Sequence, residues 1–325
     1  MDPDFNSPTV LTRDPWEYVS LWMRRAKAGD ASFFWGQAHQ FYDATVQLPP
    51  ASAPLTAYYC ILNATKALLK AKGIAHTPFH GLTGNRKPGK TALSNEEVLL
   101  KGGGVHAALR QYFGEQVQVA RHNLQDILYN LAFVHRAFQL TYTNRPELFI
   151  PIQFPRFVRK EGSSEAWFCA NIQGGHYQSQ HWVNKLPQGY ELDKGAPEPW
   201  VIRRRKRFSW KDGKPAEAGN VLRLKSYHAE VREHVSYIHG STRLWYLKRS
   251  PISGTIPLRN MTLIYAAMHR LSELARYTPD LLEKHFACQH NWLLTQFITL
   301  SLDQFVDEVA CEITGKDFMT VGLRA

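Results

Sequence analysis

Residues 156–171 read RFVRKEGSSEAWFCAN, two stretches of alternating apolar and polar side chains joined by the turn-forming run Glu161-Gly162-Ser163-Ser164. On a strand every second side chain faces the same way, so this pattern predicts an antiparallel hairpin. Working outward, residues 200–210 (WVIRRRKRFSW), 220–227 (NVLRLKSY) and 243–249 (RLWYLKR) are expected to supply further strands. Beyond these limits the period changes to that of a helix. Upstream, Asp14-Pro15 is a start signal with an Asp N-cap and Pro at the first helical position, followed by Trp16, Val19 and Met23 on one face. A second helix carries Phe34, Ala38 and Phe41-Tyr42 and must stop before Pro49-Pro50. A third, residues 56–73 (TAYYCILNATKALLKAKG), is closed by Gly73, with Tyr58, Tyr59, Ile61, Leu62, Leu68 and Leu69 on its apolar face. Asn63 and Lys66 fall on its polar stripe.

The region after Gly73 is loop-rich, with a short helix expected from the Ser94-x-x-Glu97 capping box. A single amphipathic helix capped by Asn123 is expected to turn Ile127, Leu128, Leu131, Val134 and Phe138 inward. Helical spacing returns at Met261, Ile264, Met268 and Leu271, restarts at Thr278-Pro279-Asp280, and continues through Phe297, Phe305 and Val309. The expected fold class is therefore α+β. Mainly helical N- and C-terminal parts (1–147 and 251–325) pack together around one core, and a mostly antiparallel, basic β insertion (148–250) lies between them.

Of the 325 residues, 44% are hydrophobic, which is ample for a buried core and excludes disorder as the main state. No apolar run reaches the roughly 18 residues of a membrane span, and the N-terminus lacks the pattern of a secretory signal. The four cysteines, Cys60, Cys169, Cys288 and Cys311, stand far apart, as suits reduced thiols in a cytoplasmic protein. A formal net charge of +11 attracts polyanions: nucleic acid, phosphorylated metabolites or an acidic protein partner.

Three motifs bear on chemistry. Gly84-x-x-x-x-Gly89-Lys90-Thr91 is a literal Walker A string. It lacks a convincing strand before it, a helix beginning at the Lys-Thr pair, and a Walker B strand, so the reading favours a solvated basic loop. The run Arg203-Arg204-Arg205-Lys206-Arg207, flanked by Trp210, combines guanidinium forks with an aromatic ring. On a strand, Arg203, Arg205 and Arg207 would form one phosphate-facing row; the competing reading is an edge strand protected by charge. His285, Cys288 and His290 lack a fourth ligand, so no metal site is expected. No cofactor is implied by any motif.

Pro15-Trp16-Glu17-Tyr18, the helix from Pro54 to Ala67, His80-Gly81-Leu82 with its basic loop, and the Arg276-Tyr277-x-Pro279 corner resemble the YaaC-like family of bacterial proteins over nearly the whole chain. The helical parts also bear a distant likeness to HEPN domains, many of them ribonucleases of defence systems. Their Arg-x(4–6)-His motif is matched by Arg223…His228 and Arg232…His239, a spacing that a chain with 14 His meets by chance. The resemblance singles out Asn63 and Lys66, the His80 loop and the Arg276 corner. Should the chain be catalytic, Arg276 and His80 are the expected catalytic pair, in a metal-independent ribonuclease or another phosphate-directed hydrolase. The expected function is a cytoplasmic nucleic-acid-binding protein, RNA before DNA, of defence or stress type, with no membrane partner. Arg203, Arg204, Arg205, Lys206, Arg207, Trp210, Asn63, Lys66, Arg86 and Lys90 are the expected phosphate contacts. The alternatives are an enzyme or sensor that takes a nucleotide or phosphometabolite at Lys66, His80, Arg86 and Lys90, and a non-catalytic subunit of a complex.

Overall fold

A computed structural model describes residues 9–12, 14–213, 216–240 and 243–320. The chain begins with β1 (Thr9–Thr12), α1 (Pro15–Arg25), α2 (Gly29–Val46), α3 (Ala53–Ala71), β2 (Leu82–Arg86), β3 (Glu96–Leu100), α4 (Val105–Tyr112), β4 (Ala120–Asn123), α5 (Leu124–Tyr129) and α6 (His135–Thr141). The middle holds β5 (Phe149–Arg159), β6 (Glu165–Ile172), α7 (Gln180–Val183), β7 (Tyr190–Leu192), β8 (Val201–Arg204), β9 (Phe208–Ser209), α8 (Glu217–Val231), β10 (Val235–Ile238) and β11 (Leu244–Lys248). It closes with α9 (Asn260–Tyr277), α10 (Pro279–Phe286), α11 (Asn291–Thr314) and β12 (Asp317–Thr320). The fold is α+β. The described residues up to Arg145, residues 239–240 and those from Ile256 onward form one compact unit; Pro146–Ile238 with Arg243–Thr255 form a second.

In the first unit, Asp14 caps α1 by accepting the Trp16 and Glu17 N–H groups at 2.8 and 3.3 Å. Trp16, Val19 and Met23 are buried on the face that the spacing selects. α3 is the axis of this unit, packed against α2, α4, α9 and α11. So many neighbours leave it little polar surface, and Asn63, expected on a solvated stripe, is buried with its amide donating to the Tyr59 carbonyl at 2.8 Å. Antiparallel β2-β3-β4 form a small sheet, and β1 pairs in parallel with β12. The capping-box helix expected from Ser94 is a 3-10 turn over Leu93–Asn95 that leads directly into β3. As the central strand, β3 takes backbone bonds from both sides and buries Glu96 and Glu97. The helix expected after Asn123 breaks at Asn130, whose side chain is occupied with the Asp126 carbonyl and the Ile256 N–H; α6 resumes at His135.

The second unit is a curled sheet of order β10-β11-β5-β6-β8-β7, with β9 also on β6 and antiparallel pairing throughout. The β5–β6 hairpin is the one read from residues 156–171, with Arg159 opposite Ala166. Residues 220–227, expected as a strand, lie in α8: Asn220, Tyr227 and Val231 are buried at helical spacing, and Tyr227 joins Ile150, Phe168, Ile202 and Leu247 in the core of this unit. All four cysteines are free, and Cys60, Cys169 and Cys311 are buried. Among the described residues no helix is long and apolar enough to cross a membrane.

The start of α9 carries a titratable cap. Glu115 Oε1 accepts the Arg259 N–H at 2.6 Å and the Thr262 hydroxyl at 3.2 Å, while Oε2 is buried without a partner. Burial pushes its pKa up to about 7 against the opposing bonds from Arg259 and Thr262. A raised folded-state pKa stabilises the fold fully below the unfolded value near 4.5, and the contribution fades as pH rises through 7. Wild-type protein should therefore lose on the order of 2 kcal/mol between pH 5 and pH 8 from this group, and Glu115→Gln should flatten that loss. Equal pH slopes for the two proteins in denaturant titrations would refute the assignment.

Candidate functional site

The segment carrying His80 is tied to α4 through backbone hydrogen bonds. Val105 and His106, at the start of α4, donate their N–H groups to the carbonyls of Phe79 and His80 at 2.9 and 3.0 Å. Gly81 and Gly104 stand back to back at positive φ (82° and 98°). A Cβ on Gly81 would lie 2.3 Å from the Gly103 carbonyl oxygen, and one on Gly104 would lie 2.7 Å from Gly81 Cα. The close approach and the left-handed backbone both require glycine here.

Opposite this segment, α9 presents Tyr265, His269, Glu273 and Arg276 at intervals of three or four residues, hence along one face. Arg270, beside them, sets the register. Its Nη2 and Nε donate to Glu96 Oε2 at 2.7 and 3.2 Å, and its Nη1 donates to Glu273 Oε2 at 3.0 Å. Glu96 has no exposed side-chain surface, and its Oε1 meets Arg86 Nε at 3.1 Å and His285 Nε2 at 3.1 Å. Burial would raise the Glu96 pKa, but the hydrogen bonds and charges of His285 and Arg270 prevail and hold it below the ordinary value. A carboxylate accepts only, so His285 carries its proton on Nε2, and its Nδ1 faces His290 Nε2 at 3.0 Å. His285 thus serves a buried ion cluster with His290 behind it, whereas the Cys288 thiol donates to the Lys284 carbonyl at 3.2 Å. Among the described residues no cluster of three or more His, Cys, Asp or Glu side chains could hold a metal ion. Glu273 Oε1 accepts the Gly84 N–H at 3.1 Å.

Above this cluster the rings of His80 and His269 approach to 4.7 Å, and Tyr58 lies against both, at 6.4 and 5.3 Å. Burial raises the Tyr58 hydroxyl far above its usual range. Burial, with the charges of His80, His106, Arg270 and Arg276, pushes His269 down to about 3. His80 is also lowered, first by burial and then by Lys101 and Arg276, against the pull of Glu273. Its Nδ1 accepts the Leu82 N–H at 3.2 Å, so in the neutral ring the proton resides on Nε2. His80 therefore offers an N–H donor, and the nitrogen that a general base would use is already occupied.

Arg276, at the exposed end of α9, is held between two tyrosines. Its guanidinium lies 5.9 Å from the Tyr59 ring and 5.3 Å from the Tyr277 ring and donates to both hydroxyls at 3.4 and 3.3 Å. No carboxylate among the described residues forms an ion pair with it. Its charge acts on Tyr58, His80 and His269 alike, which sets all of them around one locus. Sequence reasoning named His80 and Arg276 and missed Tyr58, His269 and Glu273. The last two were visible only as a polar row at helical spacing within an otherwise apolar helix.

Other expected phosphate contacts lie elsewhere. Arg86 is occupied by Glu96 and by the Gly89 carbonyl, whereas Lys90 is exposed on the β2–β3 hairpin. Gly84 sits inside β2, and Thr91 is followed by a single 3-10 turn and then β3 rather than by an α-helix, so the Walker-like string is a hairpin. The run 203–207 leaves its strand after Arg204, so the expected row of three does not form. Arg203 and Arg205 share Glu191, with Asp193 also on Arg203, and Arg204 and Lys206 share Glu230. Arg207 turns back over the Trp167 ring at 4.2 Å. Trp210 is half-buried beyond β9.

The family model described as YaaC-like Protein matches residues 7–313. Neither a curated protein nor a solved structure gives a significant match.

The first glycine of the Walker-like string has a purely structural duty. A Cβ on Gly84 would stand 1.6 Å from Glu273 Oε2 and 2.6 Å from Arg270 Nη1. Gly84→Ala should cost about 1–3 kcal/mol by displacing that pair, read as a lowered denaturant midpoint. An unchanged midpoint would contradict the Glu273 contact.

Proposed function

The chain belongs to the YaaC-like family, and we propose that it is a nucleic-acid-binding protein, directed to RNA, whose phosphate site is the Arg276–His80 locus. The observation that carries this reading is the state of Arg276: a guanidinium without an ion pair among the described residues and braced by two tyrosines, beside an imidazole whose Nε2–H can donate to the same anion. Arg270 and Glu273 cancel each other, so Arg276 and the exposed Lys101 leave the locus positive. Charge-assisted donors of this kind suit a phosphate oxygen. The excess of 39 Lys and Arg over 28 Asp and Glu supplies the wider attraction for a polyanion. The locus also resembles an electrostatic clamp for a phosphoryl group that gains charge during cleavage, with Arg276 and the His80 N–H as stabilisers. A phosphometabolite site built on Arg86 draws less support, because that guanidinium already neutralises Glu96.

Binding of a short single-stranded RNA should weaken linearly with the logarithm of salt concentration, and Arg276→Ala should lower the slope by roughly 0.7, one phosphate contact. Replacing Arg203 and Arg205 by Gln should change the slope less, since acidic partners already neutralise them. The reverse order of effects would move the phosphate site to the 203–207 run.

A further inference from the structure

α2 and α3 lie antiparallel in a register that can be read from their side chains. Asp30 meets Lys70 at 3.6 Å, the Lys66 ammonium sits 5.3 Å from the Phe34 ring, and Phe41 stacks on Tyr59 at 5.2 Å with 24° between planes. The residue numbers rise by seven from Phe34 to Phe41 and fall by seven from Lys66 to Tyr59, so the last two pairs are rungs about 10 Å apart on one face. Tyr59 also touches Arg276, so the phosphate locus and the rungs are continuous. At the other end Phe33, 61% exposed, packs edge-on against Phe34 at 5.5 Å. Phe33 also lines a cavity of about 410 Å³ together with Arg24 and Lys27.

The face therefore alternates aromatic rings with cations: Tyr59 and Phe41 beside Arg276, Phe34 under Lys66, and Phe33 beside Arg24 and Lys27. The acidic group on it, Asp30, faces Lys70. Burial holds the Lys66 pKa below the ordinary lysine value, yet no carboxylate among the described residues pairs with it. An apolar partner would strand these cations, and an acidic helix would leave the rings without use. A duplex keeps its bases stacked inside, away from side-chain rings. A single strand presents both phosphates and open base faces, and it matches the alternation along its whole length.

We infer that this α2–α3 face is a track for single-stranded nucleic acid, with bases stacked on the Phe33, Phe34, Phe41 and Tyr59 rings and the backbone running from Arg276 past Lys66 to the Arg24–Lys27 cavity. This rests on the phosphate reading of Arg276 and adds to it the strandedness of the ligand and its path.

The test is fluorescence anisotropy of the full chain with four 12-nucleotide probes at one salt concentration: a uridine RNA, the matching DNA, a duplex RNA, and an abasic strand of the same charge. The expected result is tighter binding of both base-bearing single strands than of the duplex, and a loss for the abasic strand of at least the roughly 5- to 150-fold effect of a single stacked base. Phe33→Ala, at an exposed position that the fold does not need, should reduce affinity for the uridine strand and leave the abasic strand unaffected. RNA held more tightly than DNA would add a 2′-hydroxyl contact to the track, and equal affinities would support stacking alone. Equal binding of abasic and base-bearing strands, still lost in Arg276→Ala, would overturn the track and leave the phosphate site standing. No binding of any probe would overturn both.

Discussion

The fully buried carboxylate of Glu96 is the constraint on which the first unit depends. It lies on the central strand of a three-stranded sheet and is met by Arg86 from the neighbouring strand, Arg270 from α9 and His285 from α10. An ionised group in such a place is tolerated only because every side of it is answered, and removing one member of such a set costs about 3–5 kcal/mol. The consequence is geometric. Arg270, fixed by Glu96, carries Glu273 on its other nitrogen, and Glu273 reaches the backbone of Gly84. The axial position and rotation of α9 are thereby set against β2, and with them the places of His269 and Arg276.

The same accounting separates cations that hold the structure from cations that face outward. Most of the guanidinium groups that stand out in the sequence are consumed internally. Arg203, Arg204, Arg205 and Lys206 neutralise Glu191, Asp193 and Glu230, and Arg121 and Lys87 neutralise Glu97. A run of positive charge is therefore a poor guide to an anion site when carboxylates from adjacent elements fold over it. Arg276 differs because its neighbours are phenol rings, which hold a guanidinium in place without cancelling its charge.

The α+β class, the β5–β6 hairpin, the Asp14 cap of α1 and the proline that opens α10 were legible because they rest on local period and local turn chemistry. Several of the readings that failed share one cause: a partner on another element, which no local pattern encodes. Residues 94–97 satisfy a capping-box pattern, yet Glu96 is drawn into a strand by Arg270, 174 residues later. Asn63 fits a polar stripe until α9 and α11 cover α3. The NVLRLKSY segment alternates well enough for a strand, and only the buried positions of Asn220, Tyr227 and Val231 reveal the helix. His80 and Arg276 could be named from the resemblance, but the tautomer of His80 depends on the Leu82 N–H, which no pattern of side chains encodes.

That tautomer and its neighbour carry the central claim: at neutral pH the locus holds an uncharged His80, protonated on Nε2, beside an Arg276 free to take an anion. Long-range proton–nitrogen NMR of the imidazole rings, recorded at pH 7 with and without a short single-stranded RNA, tests this directly. The account predicts a neutral His80 with its proton on Nε2, and a shift of that nitrogen on RNA addition that disappears in Arg276→Ala. An imidazolium at pH 7, a proton on Nδ1, or a His80 signal indifferent to RNA in the wild-type protein would contradict it.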